Sequence, residues 1–306
     1  MADLLVQIAL VAGITATFMV GPSIALAFLH IRKRRARARR RSPVGIALLR
    51  PPGHTLREQL EELQIDVLTR VYTLSALPLI LLAIFLAQAH VRGYDGMRHL
   101  IPVYVGIAVL IIVFTVRRLM KDGGQLDRLR AGYDAAQAVG QELDQLMREG
   151  ASVFHDFPAD DFNIDHIVKT RAGVFAVETK GFTKPAKGSG RAAVRVGFDG
   201  RSLAFPTWST SAPLEQAERQ ARWLSQWAAE RLGLDAVQVE PVVALPGWFV
   251  DRRADGPVRV LNGRELGWLL QGRLTAALSD QDVKRLSAQV EERCRTVEPR
   301  YGRAGG

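Results

Sequence analysis

Cysteine is almost missing from this chain: Cys294 is the single one in 306 residues. That excludes a disulfide framework and any cysteine-rich zinc or iron–sulfur centre. Histidine is scarce as well. The six, His30, His54, His90, His99, His155 and His166, form no His-x-x-His or His-Glu-x-x-His spacing, which argues against a dedicated zinc enzyme. Acidic residues are thin in the N-terminal third. Residues 1–120 hold 15 Lys and Arg against 6 Asp and Glu, whereas residues 121–306 hold 26 against 25. The formal net charge of +10 therefore belongs to the first part of the chain. The remainder carries no global basic field, so any nucleic acid it meets is met by a local patch.

Charge is absent altogether from Leu4 to Ile31. A helix of that length spans about 42 Å, more than the roughly 30 Å of bilayer hydrocarbon. A cleaved signal peptide needs a basic start and a shorter apolar core, so a retained transmembrane helix is expected. Two further apolar runs, 71–91 and 100–116, are separated by the turn-rich segment 92–98 and read as a transmembrane hairpin. The alternative is a buried hairpin of a soluble domain, but neither run has a polar face. Residues 55–70 read as a separate short amphipathic helix.

Basic residues set the expected orientation. Arg32, Lys33, Arg34, Arg35, Arg37 and Arg39–Arg41 follow the first run, and Arg117, Arg118 and Lys121 follow the third, against only Arg92 and Arg98 on the other flank. The positive-inside rule places the C-terminal part in the cytoplasm of a bacterial-type inner membrane, as a multi-pass protein with its N-terminus outside. The Arg-rich run suits contact with anionic lipid. The expected division is a membrane anchor over 1–120 and a cytoplasmic domain over 121–306.

Within that domain the hydrophobic spacing predicts a helix over 126–149, a strand at 151–157, and β-rich runs at 163–169 and 174–180 on either side of a turn at 170–173. A second hairpin is expected over 192–205 around Asp199-Gly200, a helix from Pro213 to Leu232 closed by Gly233, and a strand at 237–245. A short strand at 259–262 and helices at 263–270 and 280–295 complete the reading. The order αβββαβ around one sheet is an α/β domain.

A turn at 170–173 pairs residues so that Asp165 opposes Glu178, while Glu178 and Lys180, two apart, share a face. Two opposed carboxylates repel, and a hard divalent cation with oxygen ligands is one remedy; Lys180 is another. By the same repulsion, deleting either carboxylate without metal is expected to be neutral or stabilising. The bland alternative is a surface Asp–Lys–Glu cluster.

Asp165…Glu178-Thr-Lys180 resembles the D…(D/E)-x-K site of the restriction-endonuclease-like fold. More closely, Asn163-Ile-Asp-His166 with Gly173-Val-Phe-Ala-Val-Glu-Thr-Lys180 resembles the nuclease-related domain (NERD) family, as do Gly140-Gln-Glu142 on the preceding helix and Pro213-Leu-Glu-Gln216 on the later one. Ala212 stands where that family usually has Asn. The resemblance covers about residues 125–270. It implies Mg²⁺- or Mn²⁺-dependent hydrolysis of phosphodiester bonds in DNA or, second to it, RNA. Asp165 and Glu178 would hold the metal, with Glu142 completing its shell. Lys180 would act on the attacking water and the phosphate, and Gln216 would orient the site.

His166 alternates to the face opposite Asp165 and is expected to be packed or hydrogen-bonded rather than catalytic. Lys184, Lys187 and Arg191, in the Gly-rich loop after Lys180, are candidate phosphate contacts. The five tryptophans, Trp208 among them, are expected in the core or an interface rather than as base-stacking platforms. Two rival readings keep the fold without turnover: a membrane-tethered nucleic-acid-binding module, and a regulatory sensor. A homo-oligomer is compatible with the sequence.

Overall fold

The computed structural model describes residues 28, 31–32, 45–184, 194–271 and 278–299. The first expected transmembrane run, 4–31, lies almost wholly outside the described residues. The chain forms two compact units. One contains Leu60–Asp127, and the other combines Ile46–Gln59 with Arg128–Pro299.

In the first unit, two expected boundaries change. Residues 55–70 are not a separate helix: α1 runs unbroken through His54–Arg92. The third apolar run likewise continues into the helix expected at 126–149, giving α2, Ile101–Gln145. Both are long and apolar enough to cross a membrane, by length and composition. Their apolar windows are scarcely buried by protein: Leu82, Val103, Val105, Leu110 and Phe114 are exposed. Such a surface is costly in water and matched to hydrocarbon. Phe85 packs edge-on against Tyr104, with ring centroids 5.4 Å apart, and Tyr104 Oη donates to Gln88 Oε1 at 3.1 Å. Beyond the apolar windows, Arg70 of α1 is ion-paired with the buried Asp122 of α2.

The second unit is mixed α/β. Its main sheet has the order β1–β2–β3–β7–β9, with β1 Ser152–Pro158, β2 Asn163–Thr170, β3 Gly173–Thr179, β7 Val239–Ala244 and β9 Arg259–Leu261. The β1–β2 and β2–β3 pairs are antiparallel; β3–β7 and β7–β9 are parallel. The β3–β7 crossover contains α3, Ala212–Leu232, which ends at Gly233 in the left-handed region, φ 70°. A smaller sheet is made of β4 Arg195–Phe198, β5 Leu203–Ala204, β6 Ser209–Thr210 and β8 Phe249–Arg252, in the order β6–β5–β4–β8. The expected hairpin around Asp199-Gly200 is the β4–β5 pair; β6 and β8 were not anticipated.

Layering follows side-chain alternation. Val174 and Ala176 of β3 enter a core shared with Ala221, Leu224 and Ala228 of α3 and with Leu286 and Val290 of α4, Asp280–Cys294. Phe175 and Val177 face the other way, onto Val139 and Leu143 of α2. The helices on both faces thus cover a sheet whose central strand is buried, as parallel pairing requires.

The segment Ile46–Gln59, expected in the membrane part, is built into this unit. Leu48 and Val297 exchange backbone hydrogen bonds of 2.8 and 3.1 Å. Gln137 Nε2 donates to the Pro52 carbonyl, and a Cβ on Gly140 would lie 2.4 Å from Pro52 Cγ. Gly140, taken in sequence as part of a motif, thus lets this segment dock on α2.

Candidate functional site

The β2–β3 register is the one the turn predicts. Thr170 pairs with Gly173, and the ladder runs on to His166–Val177, which leaves Asp165 and Glu178 as the next pair in line. The ladder between β1 and β2 skips Asp156 and Asp165. Asp156 adopts φ 49°, and beyond this point the alternation slips: Phe154 and Phe157, three apart, reach the same core, as do Ile164 and Ile167. Asp165 sits at this irregularity. Its Oδ2 accepts the Thr179 amide at 2.8 Å, so the carboxylate is tied to the end of β3. Burial, and after it the charge of Glu178, push its carboxyl well above the ordinary carboxylate range.

Glu178 is 2% exposed. Both its oxygens are engaged: Oε1 lies 2.6 Å from Lys180 Nζ, and Oε2 accepts from Gln220 Nε2 at 2.7 Å. Lys180 Nζ also donates to Gln216 Oε1 at 2.9 Å. Gln216 and Gln220, one turn apart on α3, therefore clamp the ammonium and the carboxylate from the same helix. Gln220 was missed in the sequence; its i+4 spacing from Gln216 was the available signal. Its Nε2 also reaches the Asn163 carbonyl at 3.2 Å, and its buried Oε1 has no hydrogen-bond partner among the described residues.

Lys180 is followed by a close backbone contact. A Cβ on Gly181 would lie 2.1 Å from the Ala131 carbonyl oxygen, so only glycine lets β3 leave the sheet this tightly against α2.

On the opposite face lies a buried polar chain. His166, fully buried, holds its Nδ1 2.8 Å from His155 Nδ1 and its Nε2 3.2 Å from Thr179 Oγ1. His155 Nε2 lies 3.0 Å from Asp144 Oδ1. An acid cannot donate while ionised, so His155 Nε2 carries the proton and Nδ1 accepts. His166 Nδ1 then donates, and its Nε2 accepts the Thr179 hydroxyl. Burial lowers both histidines' pKa values, His166 well below the usual range. The expectation that His166 is hydrogen-bonded rather than reactive agrees with this arrangement. Thr179 joins the two faces: its hydroxyl serves His166 and its amide serves Asp165.

A third branch holds Asp156. Its Oδ2 accepts from Thr55 N at 3.1 Å and Thr55 Oγ1 at 2.7 Å, and Arg50 Nη1 lies 3.3 Å away. Asn163 Nδ2 donates to the same Thr55 hydroxyl at 2.6 Å.

The remaining predicted residues are placed differently. Glu142 is exposed on α2, the helix covering the face away from Gln216 and Gln220. Among the described residues no three His, Cys, Asp or Glu side chains gather into a metal-sized group, so Glu142 does not stand with Asp165 and Glu178. Lys184 is exposed, its Nζ 3.4 Å from where a Gly247 Cβ would be. Lys187 and Arg191 lie outside the described residues.

Asp165, Glu178 and the unpaired Gln220 oxygen are hard donors. Mg²⁺ takes one or two protein carboxylates and completes its shell with water and phosphate oxygens, so a two-carboxylate set suits it without Glu142.

Residues 131–246 match the family model described as nuclease-related domain (NERD). The match takes in β1–β3, α3 and β7, and with them Asp165, Glu178, Lys180, Gln216 and Gln220, and it supports the resemblance read from the motifs. No curated protein and no solved structure matches the chain.

Proposed function

We propose that this is a membrane-anchored, metal-dependent nuclease that hydrolyses phosphodiester bonds in DNA. One observation carries the reading. In the region similar to the nuclease-related domain, Glu178 and Lys180 are ion-paired and both gripped by α3, beside an Asp165 whose carboxyl is destabilised as an anion. A carboxyl perturbed this strongly, beside a buried ion pair, is a mark of functional sites.

Asp165 and Glu178 are the residues to hold a hard divalent cation, which when bound supplies an acidified water and neutralises charge on the phosphate. Lys180 already has its ammonium fixed by Gln216, so it is oriented before substrate arrives. Transferring one of its hydrogen bonds from Glu178 to the attacking water or a phosphate oxygen needs only a small movement. Gln220 keeps Glu178 in place when that bond is released. Thr179, held by His166, does the same for Asp165.

The two long apolar helices, with the basic clusters that flank them, support a multi-pass inner-membrane location with this unit in the cytoplasm. Anionic lipid is the expected partner of the Arg-rich run at 32–41. Digestion of linear, circular and single-stranded DNA and of RNA by the full chain in detergent, with Mg²⁺ or Mn²⁺ and with chelator, tests the activity. Metal-dependent cleavage lost in Asp165→Ala supports it; equal products with chelator refute it.

A further inference from the structure

Phe205 and Trp208 stack with centroids 4.2 Å apart and planes within 12°. Phe182 stands across both, 5.0 Å from Phe205 and 4.9 Å from Trp208, at 75° and 78°. Nearly equal distances to two parallel rings place Phe182 beside the stack, about level with its middle. It therefore does not cover the outer face of Trp208. Trp248 meets Phe205 edge-on at 4.9 Å and fixes the base of the group, its Nε1 donating to the Phe182 carbonyl at 3.1 Å. Phe205 and Trp248 are buried, while Trp208 is 41% exposed. Among the described residues no other ring lies on Trp208. A hydrophobic core does not require this: it would turn the largest side chain inward and cap the stack with a smaller one.

The position of the stack is specific. Phe182 follows Lys180 by two residues, at most about 7 Å of backbone. Trp208 lies just ahead of α3, whose Gln216 holds the Lys180 ammonium. The exposed Lys184 lies over Gly247, next to Trp248. Phe182, whose ring meets Trp208, is thus two residues from the exposed Lys184 on one side and two from the candidate catalytic Lys180 on the other.

We propose that Trp208 is a stacking platform for an unpaired base, so that the site takes single-stranded DNA or the single-stranded end of a duplex. Base–aromatic stacking tolerates any base and needs no sequence readout, and the exposed Lys184, two residues from Phe182, is available to a flanking phosphate. A paired base, already stacked on both faces, cannot use the platform. This rests on the nuclease reading for its substrate but not for its test.

The test is fluorescence anisotropy of the full chain in detergent, with chelator present so that no cleavage occurs. The probes are a labelled single-stranded oligonucleotide, its duplex, and the same strand carrying abasic positions. Wild type is expected to prefer the single strand. Trp208→Ala is expected to weaken that binding about 10- to 100-fold, Trp208→Phe to retain most of it, and the abasic strand to reproduce the alanine loss. The Ala variant is expected not to distinguish the abasic strand from the intact one, and the abasic loss in wild type together with the binding retained by Trp208→Phe separates a lost platform from misfolding. Equal single-strand binding by wild type and Trp208→Ala, tighter binding to duplex, or no binding to either overturns the platform. Cleavage in Mg²⁺ is scored separately. Intact metal-dependent cleavage with unchanged Trp208→Ala binding refutes the platform alone, and Trp208-dependent binding without any cleavage refutes the nuclease alone.

Discussion

His155 and His166 face each other Nδ1 to Nδ1 at 2.8 Å, so one proton at most lies between them; His155 cannot be protonated without breaking the pair, nor His166 without losing the hydroxyl donated by Thr179. Their folded pKa values lie below that of an unfolded histidine. The unfolded chain therefore binds more protons on acidification, and stability is full above about pH 6.5 and falls below it. Asp165 acts in the opposite sense: its raised pKa gives stability that is lost as pH rises through the folded value. In an Asp165→Asn background, without metal, the melting temperature is expected to stay level from pH 7.5 to about 6.5 and to fall from there to pH 5. Calorimetry showing a flat profile would mean that the histidines are not held neutral.

The two carboxylates are expected to differ on removal. Charge repulsion acts on both alike, but Glu178 is buried and bonded to Lys180 and Gln220, whereas Asp165 is costly to ionise and has a single amide donor among the described residues. Without metal, Asp165→Asn is expected to raise the melting temperature. Glu178→Ala strands two donors and is expected to cost about 1–3 kcal/mol in chemical denaturation. Equal effects would contradict the network.

Gln220→Leu removes the donor to Glu178 while keeping the volume. It is expected to lower cleavage at least about tenfold and to cost about 1–2 kcal/mol. Gln216→Ala, at the partly exposed Lys180, is expected to lower cleavage with little change in stability. Paired denaturation curves and initial rates separate the two effects.

Gly181→Ala is expected to destabilise strongly, because the added methyl would meet the Ala131 backbone rather than a flexible side chain. Melting within a degree or so of wild type would mean that the strand exit has slack.

The hairpin was readable because a turn fixes its own register: Thr170–Gly173 sets every pair up to the candidate site. The αβββαβ order of the main sheet and its helices follows from hydrophobic period and caps. The expectation of a single sheet is overturned by the second, β6–β5–β4–β8, whose strands of two to four residues are too short to show a period. What the sequence hid was long-range. Asp156 at φ 49° has no local signature, and its partners Arg50 and Thr55 are about a hundred residues distant in sequence. Nothing in the spacing links Asp144 to His155, or shows that Ile46–Gln59 folds with residues after 128. The merger of residues 55–70 with the following apolar run was missed because a change of polarity, not a helix break, was read as a boundary.

The central claim is that Asp165, Glu178 and Lys180 form one metal-dependent hydrolytic site. It is tested most directly by measuring melting temperature and DNA cleavage together, with and without Mn²⁺, for wild type, Asp165→Ala and Lys180→Ala. Wild type is expected to be stabilised by metal and to cleave, Asp165→Ala to do neither, and Lys180→Ala to keep the metal shift while losing cleavage. Full cleavage by Asp165→Ala, or an undiminished metal shift in it, would contradict the account.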